Sequence, residues 1–337
     1  MPHQTAILQG STSPDATALW LVQPGTAELH EESLPPLAAD DTSCVEGKTL
    51  YSAISRGTEA LVFHGRVPES EHQRMRAPFQ QGEFPAPVKY GYSNVGTVIN
   101  GPDALINQTV FCLYPHQDRY QVPVSAVQIL PESTPASRAV LAANMETAIN
   151  GVWDAGPLPG ERVSVVGAGV VGALVAYLCQ RIIGTDVQLI DINPARQALA
   201  DSLGVRFSMP EQAVNDQDLV IHASGHADGL ATAVTLAGRE GRIIEMSWFG
   251  EGNVSVPLGG AFHSRRLTLR ASQVGQLPPH QQPRWDYARR LQFALRLLED
   301  PRLDALISGE TPFARLPEQA PALLAANSQV LCQRIVY

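Results

Sequence analysis

The 337-residue chain is poor in lysine, in cysteine and in uninterrupted apolar sequence, and each shortage excludes something. Only two of its 24 cationic side chains are lysines, Lys48 and Lys89, and 33 acidic residues bring the formal net charge to −9. Nucleic-acid binding needs a basic face to neutralise phosphates, and none can be assembled here. A polybasic membrane-surface patch is excluded for the same reason. A bilayer span needs about 18 or more apolar residues in a row. The most apolar run, from Val163 to Cys179, is broken by Gly167, Gly169 and Gly172 and ends at Gln180 and Arg181. The opening MPHQTAILQG has neither the basic start nor the apolar stretch of a secretion leader, so a cytoplasmic protein is expected. Cys44, Cys112, Cys179 and Cys332 stand far apart, without a CxxC pair, and predict buried thiols rather than a disulfide framework or zinc ribbon.

The composition, 44% hydrophobic and 17% charged, suffices for buried cores in two domains of roughly 100 to 200 residues each. Up to about residue 130 the chain is rich in Pro, Gly and short β-type runs: ALWLV, KTLYSAIS, SNVGTVI, QTVFCLY and RYQVPVSAVQIL. Such runs between turn formers predict a β-rich domain. Residues 67–87 lack periodicity and predict a surface loop or lid edge. From Pro135 the spacing turns helical, until Gly156 and Pro157 stop it.

Strands and helices then alternate: strand 163–166, helix 170–183, strand 187–190, helix 194–203, strand 219–222, helix 228–236, and strands 242–246 and 267–271. Alternation of this kind specifies a parallel sheet covered on both faces, a doubly wound domain. The tail supplies an amphipathic helix in WDYARRLQFALRLLED, a short helix over 318–327 and a final strand in VLCQRIVY. No internal repeat is present.

Gly167-Ala168-Gly169-Val170-Val171-Gly172 falls where a strand ends and a helix begins, and Asp191, followed by Ile192 as a further cofactor-side residue, ends the next strand 19 residues past the last glycine. Gly167 permits a tight turn, Gly169 lets backbone approach a pyrophosphate, and Gly172 lets helix pack on strand. The helix N-terminus, at Val170 and Val171, offers free N–H groups to phosphate. Asp191 suits the adenosine ribose hydroxyls and repels a 2′-phosphate, which predicts NAD. Arg196 introduces NADP as the alternative, since it could pair either with that phosphate or with Asp191.

With these motifs the chain resembles the medium-chain dehydrogenase/reductase superfamily over nearly its full length. SAISRGTEALVFHGRVP followed by YGYSNVGTV is most similar to the branch containing bacteriochlorophyllide hydroxyethyl dehydrogenases. The resemblance implies an α/β protein: a GroES-like β-rich catalytic domain (1–145 and 272–337) around a Rossmann doubly wound parallel-sheet domain (146–271), usually a homodimer. It places His222, Ala223, Ser224 and Gly225 beside the cofactor and Ser247 and Trp248 near the nicotinamide. Zinc enzymes of the superfamily carry a cysteine where this chain has Ser55, Gly-His-Glu where it has Gly91-Tyr92-Ser93, and a cysteine or acidic ligand near Ala143. They also carry a four-cysteine lobe where GPDALINQTVFC leaves no room. Hydroxyls are poor zinc ligands, so both usual zinc sites are expected to be absent.

Without a metal, another group must stabilise and protonate the oxygen that gains charge when a carbonyl accepts hydride. The resemblance gathers Ser55, Thr58, Tyr92 and the stretch 144–147 around the pocket. Tyr92 can donate to the oxygen or simply pack. Glu146, in an otherwise apolar helix where burial would raise its pKa, is the favoured acid/base group over Glu59, for which fixing the RGTE turn is the alternative role. His64 and His116 are expected to be structural and Lys89 a solvated lysine. Phe63, Phe79, Phe84 and Tyr90 suggest an aromatic edge for a bulky, ring-bearing small-molecule substrate. The function expected is zinc-independent, NAD-linked hydride exchange between a secondary alcohol and a ketone. Reduction of a conjugated carbon–carbon double bond, as in enone and quinone reductases, and dinucleotide sensing or partner binding without turnover are the alternatives.

Overall fold

The computed structural model describes residues 16–38 and 41–337. The opening segment, on which the expectation of no leader rests, lies outside the described residues. No helix of the described residues is long and apolar enough to cross a membrane.

The first part is β-rich, as its short apolar runs predict. A hairpin of β1 (Ala16–Gln23) and β2 (Thr26–Glu32) turns at Pro24-Gly25, where Gly25 has φ +83°. The long β3 (Cys44–Ser55) leads directly into α1 (Arg56–Phe63). Short strands β4 (Gln81–Gly82) and β5 (Val88–Lys89) join the hairpin in the order β2-β1-β5-β4. A second sheet runs β3, β6 (Asn94–Asn100), β7 (Thr109–Cys112), then, after β8 (Arg119–Pro123), β9 (Val127–Ile129). Residues 67–87 are anchored rather than a free lid, because Val67 and Phe84 are buried in the same apolar cluster as Phe63 and Tyr90. The aromatic edge expected for a bulky substrate is therefore mostly core, and of its four rings only Phe79 is exposed.

The helical stretch is broken at Leu141 into α2 (Ala136–Ala139) and α3 (Ala142–Ala155), and α3 closes on left-handed Gly156. The parallel sheet follows: β10 (Arg162–Val166), α4 (Val170–Cys179), β11 (Asp186–Ile190), α5 (Gln197–Leu203), β12 (Arg206–Ser208), β13 (Gln217–His222), α6 (Ala227–Leu236), β14 (Ala237–Glu245) and β15 (Thr268–Ala271). Helix α4 ends four residues earlier than its apolar pattern suggests, where the backbone tightens into i to i−3 bonds at Arg181 and Ile182. Strand order is β12-β11-β10-β13-β14-β15 and all pairings are parallel. Chain direction across the sheet therefore reverses between β10 and β13, which opens a crevice at their C-terminal ends.

The tail contributes α7 (Tyr287–Leu297), capped by the Asp286 carboxylate, then β16 (Ile307–Pro312), α8 (Leu316–Leu323) and β17 (Cys332–Val336). Strand β17 returns to pair antiparallel with residues 51–55 of β3, so the end of the chain completes the first sheet beside Ser55. The division expected between residues 145 and 146 falls inside α3.

Glu146 corrects the sequence expectation of an acid/base group. It lies on the face of α3 turned toward α7, where its Oε1 accepts from Arg290 Nε at 3.0 Å, with both side chains almost fully buried. Arg290 Nη1 also donates to Asn150 Oδ1 at 2.7 Å and to the Val274 carbonyl at 2.9 Å. Burial raises the Glu146 pKa as expected, and the Arg290 charge opposes the rise. The pair holds helix to helix. Removing one partner of a buried pair strands the other charge, at a cost of about 3–5 kcal/mol. Arg290→Met should lower unfolding stability by that order in chemical denaturation. An unchanged midpoint would mean the pair does not hold the helices.

Candidate active site

The crevice is built around backbone contact. Gly167, just past β10, has φ +109°, and a Cβ there would lie 2.6 Å from Ser224 N in the loop that follows β13. A Cβ on Gly172 would fall 1.9 Å from the Gly167 carbonyl oxygen. These two glycines are demanded by the protein itself. Gly169 differs, because a Cβ there would meet nothing within 4 Å. Its open side faces the start of α4, where Gly169 provides no side-chain cap and the first N–H groups of Val170 and Val171 lack partners within the helix. Such a terminus is an anion site.

Asp191 lies just past β11 and accepts from Ala168 N at 2.7 Å and Asn193 N at 2.9 Å, stapling the glycine turn to the neighbouring strand. Each carboxylate oxygen retains a lone pair for a ligand hydroxyl. Ile192 beside it is exposed. Arg196 does not pair with Asp191. Its Nη2 donates to the Gln329 carbonyl of the tail at 3.0 Å. Its charge also reaches Arg56 at the start of α1, whose pKa is lowered first by burial and then by Arg196. Sequence reasoning passed over Arg56. Its only signal is its place directly after Ser55, on the first turn of a helix.

Across the crevice, the ends of β13 and β14 carry a connected polar set. His222 is fully buried and holds Glu245 Oε2 at 2.6 Å through Nδ1 and Ser224 Oγ at 2.6 Å through Nε2. Glu245 Oε1 accepts from Ser247 N at 2.7 Å, and Ser247 Oγ accepts from Gly225 N at 3.1 Å. Ala223, between His222 and Ser224, closes the ladder through its N–H to the Val166 carbonyl. Trp248 leaves the nucleotide sheet and packs on the apolar cluster of the first domain, as Tyr92 does.

The face opposite is formed by the β3–α1 junction, the segment before β6 and the start of α3. Glu59 Oε1 accepts from Ser55 N at 2.7 Å, and Oε2 meets His116 Nε2 at 3.0 Å. Asn144 Nδ2 donates to Ser55 Oγ at 3.0 Å. The Tyr92 hydroxyl interacts with the Ser55 and Thr58 hydroxyls. Its pKa is raised well above the ordinary tyrosine value, first by burial and next by the Glu59 charge, against those two hydrogen bonds. Ser55, Thr58, Tyr92 and Asn144 thus share one hydroxyl-rich cluster, with Glu59 behind it, while Glu146 faces elsewhere.

His116 is buried and also meets Ser52 Oγ at 2.7 Å, and Ser52 Oγ meets Tyr337 OH at 2.9 Å, tying in the tail. His64 contacts the Leu324 carbonyl at 3.2 Å, a structural role as expected. Lys89 corrects the expectation of a solvated side chain. It is wholly buried, with Nζ 2.7 Å from Glu32 Oε2 and 2.8 Å from Gln117 Oε1. Among the described residues, no group of three His, Cys, Asp or Glu side chains is placed to hold a metal ion. Cys112, Cys179 and Cys332 are buried, which pushes each thiol up to about 12.

The chain's comparisons point the same way for the nucleotide half. Residues 140–244 match the family model for the C-terminal domain of alanine dehydrogenase/PNT. A curated relative, 2-dehydro-3-deoxy-L-galactonate 5-dehydrogenase of Pseudoalteromonas atlantica (strain T6c / ATCC BAA-1087), is 27% identical over 139 residues, covering 38% of this chain and 40% of that protein. The match therefore spans well under two thirds of the relative. Among solved structures, L-idonate 5-dehydrogenase from Escherichia coli K-12 superposes with TM-score 0.77 at 15% identity, over 96% of this chain and 98% of that one. A protein described as a short chain alcohol dehydrogenase from Escherichia coli CFT073, complexed with NADH, superposes with TM-score 0.74 at 16% identity, over 96% of this chain and 99% of that one. The chain has the two-domain fold of these dehydrogenases, a β-rich unit joined to a Rossmann-like parallel sheet.

A phenol held neutral by burial does not ionise in the ordinary tyrosine range. Spectrophotometric titration of wild type and Tyr92→Phe should therefore coincide up to about pH 10, the usual tyrosine pKa. An early phenolate missing from the variant would contradict the burial argument.

Proposed function

We propose that the protein is an NAD(H)-dependent oxidoreductase that moves hydride between the cofactor and a secondary alcohol or its ketone, without zinc at the reacting oxygen. The observation that carries the proposal is the hydroxyl cluster of Ser55, Thr58, Tyr92 and Asn144, built around a half-buried phenol whose pKa is raised and set at a domain junction beside a dinucleotide crevice. The 1–145 and 272–337 unit supplies the cluster, and 146–271 supplies the crevice.

The crevice residues fit a dinucleotide. Gly169 leaves room for the pyrophosphate, the start of α4 offers N–H groups, and Asp191 offers acceptors for the adenosine ribose. A bound reduced nicotinamide supplies the hydride. Tyr92 donates its O–H toward the substrate oxygen, where negative charge develops. Ser55 and Thr58 hydrogen-bond the same phenol and support it as its proton moves to that oxygen. Asn144 fixes the Ser55 hydroxyl, and Glu59 holds the Ser55 backbone, so the donors are oriented before substrate arrives. Trp248 and Tyr92, on the shared apolar cluster, exclude water from the junction and provide the surface for a bulky substrate.

Asp191 favours NAD, because its charge repels a 2′-phosphate. NADP is the second reading, carried by Arg196, which leaves Asp191 free of a cation and lies near Arg56. A homodimer formed along the edge strand β15 is the proposed assembly, since that strand ends the parallel sheet with largely exposed side chains.

Offered NADH with a simple ketone and with a conjugated enone, the protein should reduce the C=O bond. Tyr92→Phe should lower kcat by about 10² or more, as loss of an oxyanion donor does. Saturation of the C=C bond, or unchanged turnover in the variant, would overturn the proposal.

A further inference from the structure

Behind the hydroxyl cluster, the first domain encloses a small cavity between β1, the end of β3, α1 and α8. Leu21, Phe63 and Ala320 are among its apolar walls, and Glu59, Tyr90 and His116 form its polar side. The cavity leaves about 20 Å³ for the centre of a water-sized sphere. A single water needs about 10–15 Å³ by that measure, so the space takes one water and no organic group. Whether water stays in such a space depends on its polar partners, since a purely apolar cavity of this size is dry.

The three polar walls differ in what they have left to offer. Both ring nitrogens of His116 are engaged, Nε2 by Glu59 Oε2 at 3.0 Å and Nδ1 by Ser52 Oγ at 2.7 Å. Glu59 retains capacity. Its carboxylate has about four acceptor sites, and the Ser55 N–H and His116 fill two. Tyr90 is 6% exposed, its ring set against Phe84 at 5.8 Å and edge-on to Tyr92 at 5.9 Å. Among the described residues its hydroxyl forms no hydrogen bond with a protein group, and burial, followed by Tyr92 and Glu59, keeps it protonated well past the ordinary tyrosine range. A buried O–H donor without an acceptor is costly.

One wall therefore offers an unused donor, another an unused acceptor, and the space between them fits a single small molecule that can do both. We propose that the cavity is a binding site for one ordered water, which accepts from the Tyr90 O–H and donates to the Glu59 carboxylate. The water gives Tyr90 the acceptor it otherwise lacks. It also gives Glu59 a third donor beside the Ser55 N–H and His116, and so belongs to the support of the β3–α1 junction that presents Ser55 and Thr58. The site lies within the first domain and is independent of the dinucleotide reading.

The test counts long-lived internal waters by water-oxygen magnetic relaxation dispersion in wild type, Tyr90→Phe and Ala320→Val, with melting temperatures measured on the same samples. Tyr90→Phe keeps the ring and its contacts with Phe84 and Tyr92 and removes only the O–H. It should hold one water fewer than wild type and melt about 2–4 °C lower, the scale of one hydrogen bond. Ala320→Val puts two further carbons into the space of the water and should also hold one water fewer. A dry cavity predicts otherwise, because removing an unpartnered buried hydroxyl would leave the protein as stable or more so, and neither variant would change the count. An unchanged count in either variant, or a Tyr90→Phe that melts at or above the wild-type temperature, would overturn the proposal. Should Ala320→Val fail to fold, Tyr90→Phe decides alone.

Discussion

The Glu59 carboxylate is the tie on which the arrangement depends. One oxygen holds the backbone at Ser55, where β3 turns into α1, and the other holds His116 in the segment before β8. Through His116 and Ser52 it reaches Tyr337 at the end of the chain. A single buried charge thus fixes the start of α1, orients the hydroxyls that α1 and β3 present, and locks the returning tail strand β17 in place. Buried charges persist only when their partners are supplied, so these four segments have to assemble together.

The same rule accounts for most places where sequence and structure part. The Gly167 to Gly172 turn, Asp191 and the parallel sheet were legible because their logic is local: glycines at fixed spacing, then an acid at the end of the next strand. Glu146 was misread because its partner, Arg290, lies 144 residues away on α7. Lys89 was misread because Glu32 and Gln117 reach it from other strands. Burial was foreseen for Glu146 from its apolar helix but not for Lys89, and in neither case was the partner legible, since periodicity carries no information on long-range pairing. Glu59 was the weaker candidate for chemistry, and the structure gives it the turn-fixing role that the RGTE spacing had offered.

The hydroxyl cluster shows how such tied segments could serve catalysis. Ser55 comes from β3, Thr58 from α1, Tyr92 from the approach to β6 and Asn144 from α3, so no contiguous motif could announce it. What the sequence did show was hydroxyls at the positions where the resemblance led one to expect thiolate and imidazole. The nucleotide side follows the same pattern. The His222 to Gly225 stretch was expected beside the cofactor, but the Glu245 contact that orients it comes from the adjacent strand and emerges only once β13 and β14 pair in register.

The central claim is that hydroxyls do the work of a metal at the reacting oxygen. Metal content and ketone reduction measured on one preparation, before and after chelation, test it most directly. The account predicts substoichiometric zinc and turnover that chelation leaves unchanged. Stoichiometric zinc whose removal abolishes turnover, and whose return restores it, would contradict the account.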